Sequence, residues 1–322
     1  MDNSVPTSSL DALAVVLESP EQLVLSRLDL DPPGDDDVIV ETEWSGISTG
    51  TERLLWSGRM PPFPGLGYPL VPGYESVGRI AHAGARTGMH VGERVFVPGA
   101  RCFGRVKGLF GGAASKMVVQ ASRVTPIGED LGEQGVLLAL AATAYHAVSA
   151  PHSALPDLIV GHGVLGRLIA RLAVLLADKP PTVWERNPNR AGGAVGYRVE
   201  HPDGDSRRDY RAIYDVSGDG ALLDDLIGRL AHGGELVLAG FYSEPLSFRF
   251  PAAFMREARI RVAAEWRETD MTAVKQLIDS GRLSLEGLIT HRQEASAAAE
   301  AYRTAFGDSN CLKMILDWRA DS

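Results

Sequence analysis

The residues whose spacing could do chemistry first are Gly161, His162, Gly163, Val164, Leu165 and Gly166, a GxGxxG run. A short apolar stretch, 158–160, precedes it. A segment with Leu168, Ile169, Leu172, Leu175 and Leu176 at helical spacing follows it. Strand, glycine turn and helix are the setting in which such a run holds a dinucleotide. Gly161 permits the tight turn, Gly163 lets the backbone approach a pyrophosphate, and Gly166 lets the helix pack close to the sheet. The helix start at Val164 and Leu165 then offers N–H groups and a positive dipole end to phosphates. Glu185 ends the next strand, 19 residues beyond Gly166, where a carboxylate accepts hydrogen bonds from the adenosine ribose of NAD. Arg186 and Arg190 would instead suit the extra phosphate of NADP. Glu185 repels that phosphate, so NAD is favoured. His162 either contacts the pyrophosphate or simply fills an unspecified position of the run, and the second is the plainer reading.

These residues need a sheet to position them. Strand-like runs at 158–160, 182–184, 212–216, 234–240 and 259–263 alternate with helical segments at 167–177, 221–230 and 272–280. That alternation predicts an α/β, doubly wound parallel sheet. Ligands of such sheets sit at the carboxyl ends of the strands, so Ser217 and Gly218 after one strand, and Gly240 and Phe241 after the next, should flank the nicotinamide. The first 125 residues differ. Runs at 12–17, 22–28, 38–44, 76–83 and 94–97 are β-rich, and PPG (32–34), PFPG (62–65) and VPG (71–73 and 97–99) punctuate them. They predict a mostly antiparallel β domain. A helix is expected at 135–150, and a tail helix at 295–306 and strand at 312–316 return toward the β domain. The division expected is 1–126 with 290–322, and 127–289.

Composition narrows the classes. A chain of 322 residues is about two domains. A net charge of −9 disfavours a phosphate backbone as partner, so no nucleic-acid binding is expected. Cys102 and Cys311 are far apart, without a CxxC partner motif, which fits a reducing compartment. The start, MDNSVPTSSLDALAVV, lacks the basic residues of a signal peptide. The most apolar stretch, 136–148, is too short to span a bilayer. A cytoplasmic protein is expected, with weak peripheral membrane contact and a homodimer left open.

The order of a β-rich domain, a nucleotide domain and a returning tail resembles the medium-chain dehydrogenase/reductase superfamily. The resemblance runs over nearly the whole chain. Ser45-Gly46-Ile47-Ser48 is similar to its Gly-Ile-Cys turn, Pro72-Gly73-Tyr74-Glu75 to its Pro-Gly-His-Glu, and Val91-Gly92-Glu93-Arg94-Val95 to its Gly-Asp-Arg-Val. Thr143-Ala144-Tyr145-His146-Ala147 and Leu288-Ile289-Thr290-His291 match two further family segments. The resemblance implies a GroES-like β domain beside a Rossmann sheet. Zinc-dependent members hold a catalytic zinc through Cys, His and a third ligand; here Ser48 and Tyr74 occupy the first two positions and the third falls near Ala139. Ser and Tyr are poor zinc ligands at neutral pH, and the structural-zinc loop keeps only Cys102, so no metal is expected. The stretch NPNRAGGAVG after Glu185 also leaves little room for the usual helix.

Within the superfamily, the strings 45–52 (SGISTGTE), 55–70, 156–168, 209–219 and 311–318 (CLKMILDW) resemble dehydrogenases of bacteriochlorophyll synthesis. That resemblance implies NAD-dependent oxidation of the C3 1-hydroxyethyl group of a chlorin. Without zinc a side chain must bind the alcohol oxygen and take its proton. Tyr74 could hydrogen-bond that oxygen, with Ser48, Thr49 and Thr51 relaying the proton; a packed core tyrosine is the plain alternative. Glu75 and His146 are expected to be structural. A flat apolar substrate with a propionate needs an aromatic wall and a cation. Trp56, Phe63, Tyr68, Phe103, Phe110 and Tyr145 could supply the wall, and Arg101, Arg105 or Lys107 the cation. Two other readings stand beside this one: an NADPH-dependent quinone or enone reductase, and a silent pigment carrier.

Overall fold

The computed structural model describes residues 10–320. The chain divides into two compact units. One comprises the residues up to Val136, Arg292–Thr304 and the tail from Met314; the other comprises Leu137–His291 and Ala305–Lys313. The border falls after Val136 rather than at 126 because Arg94 holds the intervening segment: Ile127 N–H donates to the Arg94 carbonyl and Arg94 Nη1 to the Glu129 carbonyl. Lys313 goes with the second unit because its carbonyl accepts from Thr290 N and His291 N. The tail helix therefore splits between the units.

The first unit is built of mostly antiparallel strands; the short pair Leu70–Val71 and Lys107–Gly108 runs parallel. Asp37–Ile47 is its longest and pairs with Ser76–Ala83, Lys116–Gln120 and Met314–Asp317. Val38 and Val40 alternate inward from it, join Ala12, Ala14, Val16, Ile80, Val95, Val97 and Met117, and exclude water from the core. The tail strand Met314–Asp317 lies in register with Trp44–Ile47, and Trp318 Nε1 donates to Ser45 Oγ at 2.9 Å. The tail thus fixes the strand end from which the turn at Ser48 departs.

The second unit holds a six-stranded parallel sheet. Its spatial order is Arg198–Glu200, Thr182–Trp184, Leu158–Val160, Tyr210–Asp215, Leu230–Leu238, Arg259–Val262. The chain runs outward from Leu158–Val160 and returns to its other side at Tyr210–Asp215. The switch point therefore opens between Val160 and Asp215, where ligands of such sheets bind. The architecture is a GroES-like β domain with a Rossmann sheet. Boundaries move in places: the helix expected at 135–150 is a 3-10 segment, Glu129–Leu137, kinked at Gly132, followed by an α-helix, Leu138–Val148. The helices Thr51–Trp56 and Phe250–Arg256 and the strands Lys116–Gln120 and Arg198–Glu200 carry no periodicity long enough to be read in advance.

Candidate active site

In the second unit the glycine run does what its spacing requires. Gly161 has φ +105°, a backbone that side chains rarely adopt. A Cβ on Gly166 would stand 2.0 Å from the Gly161 carbonyl oxygen, so the helix can approach the turn only as glycine. Above Gly163 nothing lies within 4 Å, which leaves a cradle for a pyrophosphate. The helix Val164–Leu176 begins there with no side-chain cap, so its first N–H groups are available to an anion. Glu185 is half-buried at the end of Thr182–Trp184. One oxygen accepts from His162 N at 3.2 Å and the other from Asn187 N at 2.8 Å. The carboxylate is thereby aimed beside the glycine turn. These residues fit a nicotinamide dinucleotide.

The surroundings bear on three expectations. His162 is fully buried and both ring nitrogens are occupied, Nδ1 with the Arg190 carbonyl at 2.7 Å and Nε2 with Tyr197 Oη at 2.8 Å. Its ring therefore cannot meet a pyrophosphate; only its backbone N–H faces Glu185. Burial, aided by the nearby Arg167 charge, pushes its pKa down to about 4. Arg186 is exposed and pairs with Asp219 at 3.5 Å, and Arg190 Nε donates to the Ser309 carbonyl at 2.8 Å, so both guanidiniums already have partners. The crossover between Thr182–Trp184 and Arg198–Glu200 holds a single 3-10 turn, Pro188–Arg190, instead of a helix. Arg167 fills the gap, donating to the His162 and Arg190 carbonyls.

In the first unit the turn at Ser48 brings three hydroxyls together. Ser48 Oγ lies 2.7 Å from Tyr74 Oη and 3.2 Å from Thr51 Oγ1, and Thr51 Oγ1 donates to Tyr74 Oη at 3.2 Å. Burial and the neighbouring Glu75 raise the Tyr74 phenol far above its ordinary value, outweighing the hydroxyls that lower it. It is a neutral donor at any physiological pH. Thr49, half-buried on the same turn, joins no hydrogen bond of this triangle. Sequence reasoning missed the support beneath it: Glu52 is buried, accepts from Ser48 N at 2.9 Å, and accepts from Tyr302 Oη at 2.6 Å. A buried carboxylate is tolerable only with such donors. Tyr302 comes from the returning tail helix, and nothing local in the sequence points to it.

The aromatic candidates separate. Trp56, Phe63 and Tyr68 gather with Phe110 on the apolar cluster of Leu17, Leu54, Leu55, Met60, Leu70 and Leu109. Tyr68 Oη donates to the Leu55 carbonyl. Phe110 meets Phe63 edge-on at 6.2 Å and Tyr74 edge-on at 5.4 Å, which links the wall to the hydroxyl triangle. Phe103 does not belong to it; it is buried in the β-domain core with Val71, Ala100 and Cys102. Arg101 and Arg105 are exposed and make no ion pair among the described residues, whereas Lys107 pairs backbone-to-backbone beside Leu70 and lays its stem over Gly67. Tyr145 is half-buried on Leu138–Val148 in the second unit, next to His146, whose Nδ1 meets Asp270 at 2.8 Å.

The donor set at the former ligand positions does not fit a catalytic zinc. Ser48 and Tyr74 are already hydrogen-bonded to each other, the phenol resists ionisation, and the residues around 139 are alanine and leucine. Among the described residues no three His, Cys, Asp or Glu side chains cluster to hold a metal, and no helix is long and apolar enough to cross a membrane.

Comparison with known proteins agrees with this architecture. Residues 34–129 match the alcohol dehydrogenase GroES-like domain. A 2-desacetyl-2-hydroxyethyl bacteriochlorophyllide A dehydrogenase of Rhodobacter capsulatus is 57% identical over 96% of this chain and 99% of its own length. One of the same description from Cereibacter sphaeroides is 56% identical over 95% and 98%. Among solved structures, L-idonate 5-dehydrogenase of Escherichia coli superposes with a TM-score of 0.82 at 16% identity, covering 96% of this chain and 99% of that one. An E. coli alcohol dehydrogenase solved with NADH gives 0.79 at 22% identity, covering 96% and 99%.

Proposed function

Because the chain belongs to the 2-desacetyl-2-hydroxyethyl bacteriochlorophyllide A dehydrogenase family, within the medium-chain dehydrogenase/reductase superfamily, we propose that it oxidises the C3 1-hydroxyethyl group of 3-(1-hydroxyethyl)bacteriochlorophyllide a to acetyl, giving bacteriochlorophyllide a, with NAD⁺ as acceptor and without zinc. The chain is an oxidoreductase acting on a secondary alcohol. What carries the substrate is the identity of 57% over 96% of the chain.

NAD⁺, when bound, supplies the hydride acceptor at its nicotinamide C4. The chain's own residues do the rest. The turn Gly161–Gly166 and the first N–H groups of Val164–Leu176 hold the pyrophosphate. Glu185 takes the adenosine ribose and repels a 2′-phosphate, which supports NAD over NADP. Tyr74 Oη accepts from the alcohol O–H, and once that proton has moved to it the same O–H donates to the carbonyl oxygen formed as hydride leaves. The alcohol's proton passes to Tyr74 Oη as the phenol's own proton moves to Ser48 Oγ and Ser48's to Thr51 Oγ1, while the Thr51 hydroxyl turns from Tyr74 Oη to solvent and releases its proton to water. Thr51 is half-exposed, so the relay ends at solvent. Trp56, Phe63, Tyr68 and Phe110 face the chlorin, and Lys107 takes its propionate in place of Arg101 or Arg105.

We place the protein in the cytoplasm, where its two buried free thiols, Cys102 and Cys311, stay reduced. A homodimer is supported by the strand Arg259–Val262, which is the sheet's edge among the described residues: Val262 is 72% exposed, and Ile260 lines a groove with Phe254 and Met255, themselves 65% and 70% exposed. A second copy can pair antiparallel with that edge across a two-fold axis and cover the apolar side chains.

The test is an anaerobic assay of purified protein with the hydroxyethyl pigment and NAD⁺, NADP⁺ or no nucleotide, before and after chelation, with metal content measured in parallel. A red shift to the acetyl pigment with NAD⁺, unchanged by chelator and without stoichiometric zinc, is expected. Chelator-sensitive turnover overturns the zinc-free mechanism. Pigment binding without conversion by either nucleotide overturns the dehydrogenase reading.

A further inference from the structure

We propose that Asp215 and Tyr242 form a clamp that positions the two loops on the nicotinamide side of the cofactor site, so that Tyr242 sets affinity for the nicotinamide half of the dinucleotide. The inference rests on the NAD reading above. Asp215 ends the strand Tyr210–Asp215 at the switch point and is fully buried. Its side chain reaches both loops. Oδ1 accepts from Ser217 N at 2.8 Å, which fixes the loop after its own strand. Oδ2 accepts from Tyr242 Oη at 2.7 Å, which fixes the loop after Leu230–Leu238. Its carbonyl accepts from Ala239 N at 2.9 Å and Gly240 N at 3.0 Å, which anchors the second loop a second time.

The loops lie so close that this anchoring decides their separation. A Cβ on Gly240 would stand 3.0 Å from Gly218 N, and one on Gly218 would stand 2.9 Å from the Phe241 carbonyl oxygen. Gly218 and Tyr242 both line a cavity of about 430 Å³ that also touches Asp219 and Ser243. Burial raises the Asp215 carboxyl above its ordinary value, and the Asp215 charge adds to burial in raising the Tyr242 phenol, so the tyrosine stays a donor. Without that donor, Asp215 still holds Ser217, but the second loop keeps only its main-chain anchors. Tyr242 touches Asp215 and the cavity and is a positioning residue; no step of the reaction passes through it.

The experiment compares wild type with Tyr242→Phe for binding of NADH and of ADP-ribose, which lacks nicotinamide, by fluorescence and calorimetry on the full chain. Thermal midpoints are recorded alongside, and Asp215→Asn serves as a second variant that keeps the size of the side chain. The expected result is NADH affinity weakened about tenfold in Tyr242→Phe with ADP-ribose affinity within about twofold, the loss of one charge-assisted hydrogen bond read at one end of the ligand. Asp215→Asn, if folded, should weaken NADH more. Unchanged NADH affinity in Tyr242→Phe overturns the clamp. Equal loss for both ligands with a lowered midpoint also overturns it, since that is general destabilisation. If wild type binds ADP-ribose and not NADH, the NAD reading itself fails and the positioning role falls with it.

Discussion

Replacing Tyr74 by Phe removes one hydroxyl and little else. The ring keeps its edge contact with Phe110 at 5.4 Å. One hydrogen bond to Ser48 and one from Thr51 are lost, at 2.7 and 3.2 Å. The cost to folding should be near 1 kcal/mol, because the two remaining hydroxyls can pair with each other. The cost to catalysis is larger. Removing a donor aimed at a developing oxyanion typically costs about 10²–10³ in rate. The lower end applies here, because Ser48 Oγ can swing into the vacated place. That is about 100-fold in kcat, or about 2.7 kcal/mol at about 1.36 kcal/mol per tenfold. The assay is a single-turnover reaction at saturating NAD⁺, followed by the pigment spectrum, for Tyr74→Phe, Ser48→Ala and the double variant. The double variant should lose less than the product of the singles, since the hydroxyls act as one unit. The pH profile gives a second check. A phenol raised far above its ordinary value stays protonated through pH 9, so both proteins should share one profile shape between pH 6 and 9. A loss under about threefold, or a basic limb present in wild type and absent from Tyr74→Phe, would refute the reasoning.

The other expectations concern the nucleotide unit. His162 is buried neutral with a pKa of about 4, below the unfolded value of about 6.5, so the unfolded chain binds more protons there. Its contribution is complete above pH 6.5 and is lost as pH falls toward 4. Wild type should lose about 2.5 kcal/mol more unfolding free energy than His162→Gln between pH 7 and pH 4.5, measured by urea titration at both pH values. Glu185→Ala should weaken NAD⁺ about tenfold and improve NADP⁺, read as the ratio of kcat/KM values; an unchanged ratio removes Glu185 from selection. Val262→Lys, on the exposed edge strand, should halve the mass seen by light scattering, and a wild-type monomer would end the dimer proposal.

How much of this was legible in the residues follows from the range of the physics. The fingerprint could be read because every contact it needs is local: Gly161 sets the turn, Gly166 clears the Gly161 carbonyl, and Glu185 sits one strand away. The strands could be read because alternation at Val38 and Val40, or a short apolar run at 158–160, reports burial directly. The missing helix after Glu185 was visible as a run too short and too rich in glycine. What filled its place was not, because Arg167, His162 and Tyr197 meet only once the sheet has formed. Phe103 looked like Phe110 in the sequence, two aromatic residues near the same cations. One lies in the core and the other edge-on to Tyr74, and only strand packing separates them. The sequence by itself determined the two architectures and the nucleotide turn, both carried by residue type and short spacing. Tertiary structure alone decided that Ser48, Thr51 and Tyr74 share one hydrogen-bonded triangle, and that Tyr302 steadies it through Glu52 from 250 residues away. Such contacts follow from chain closure over long loops, which leaves no local trace in the residues it joins.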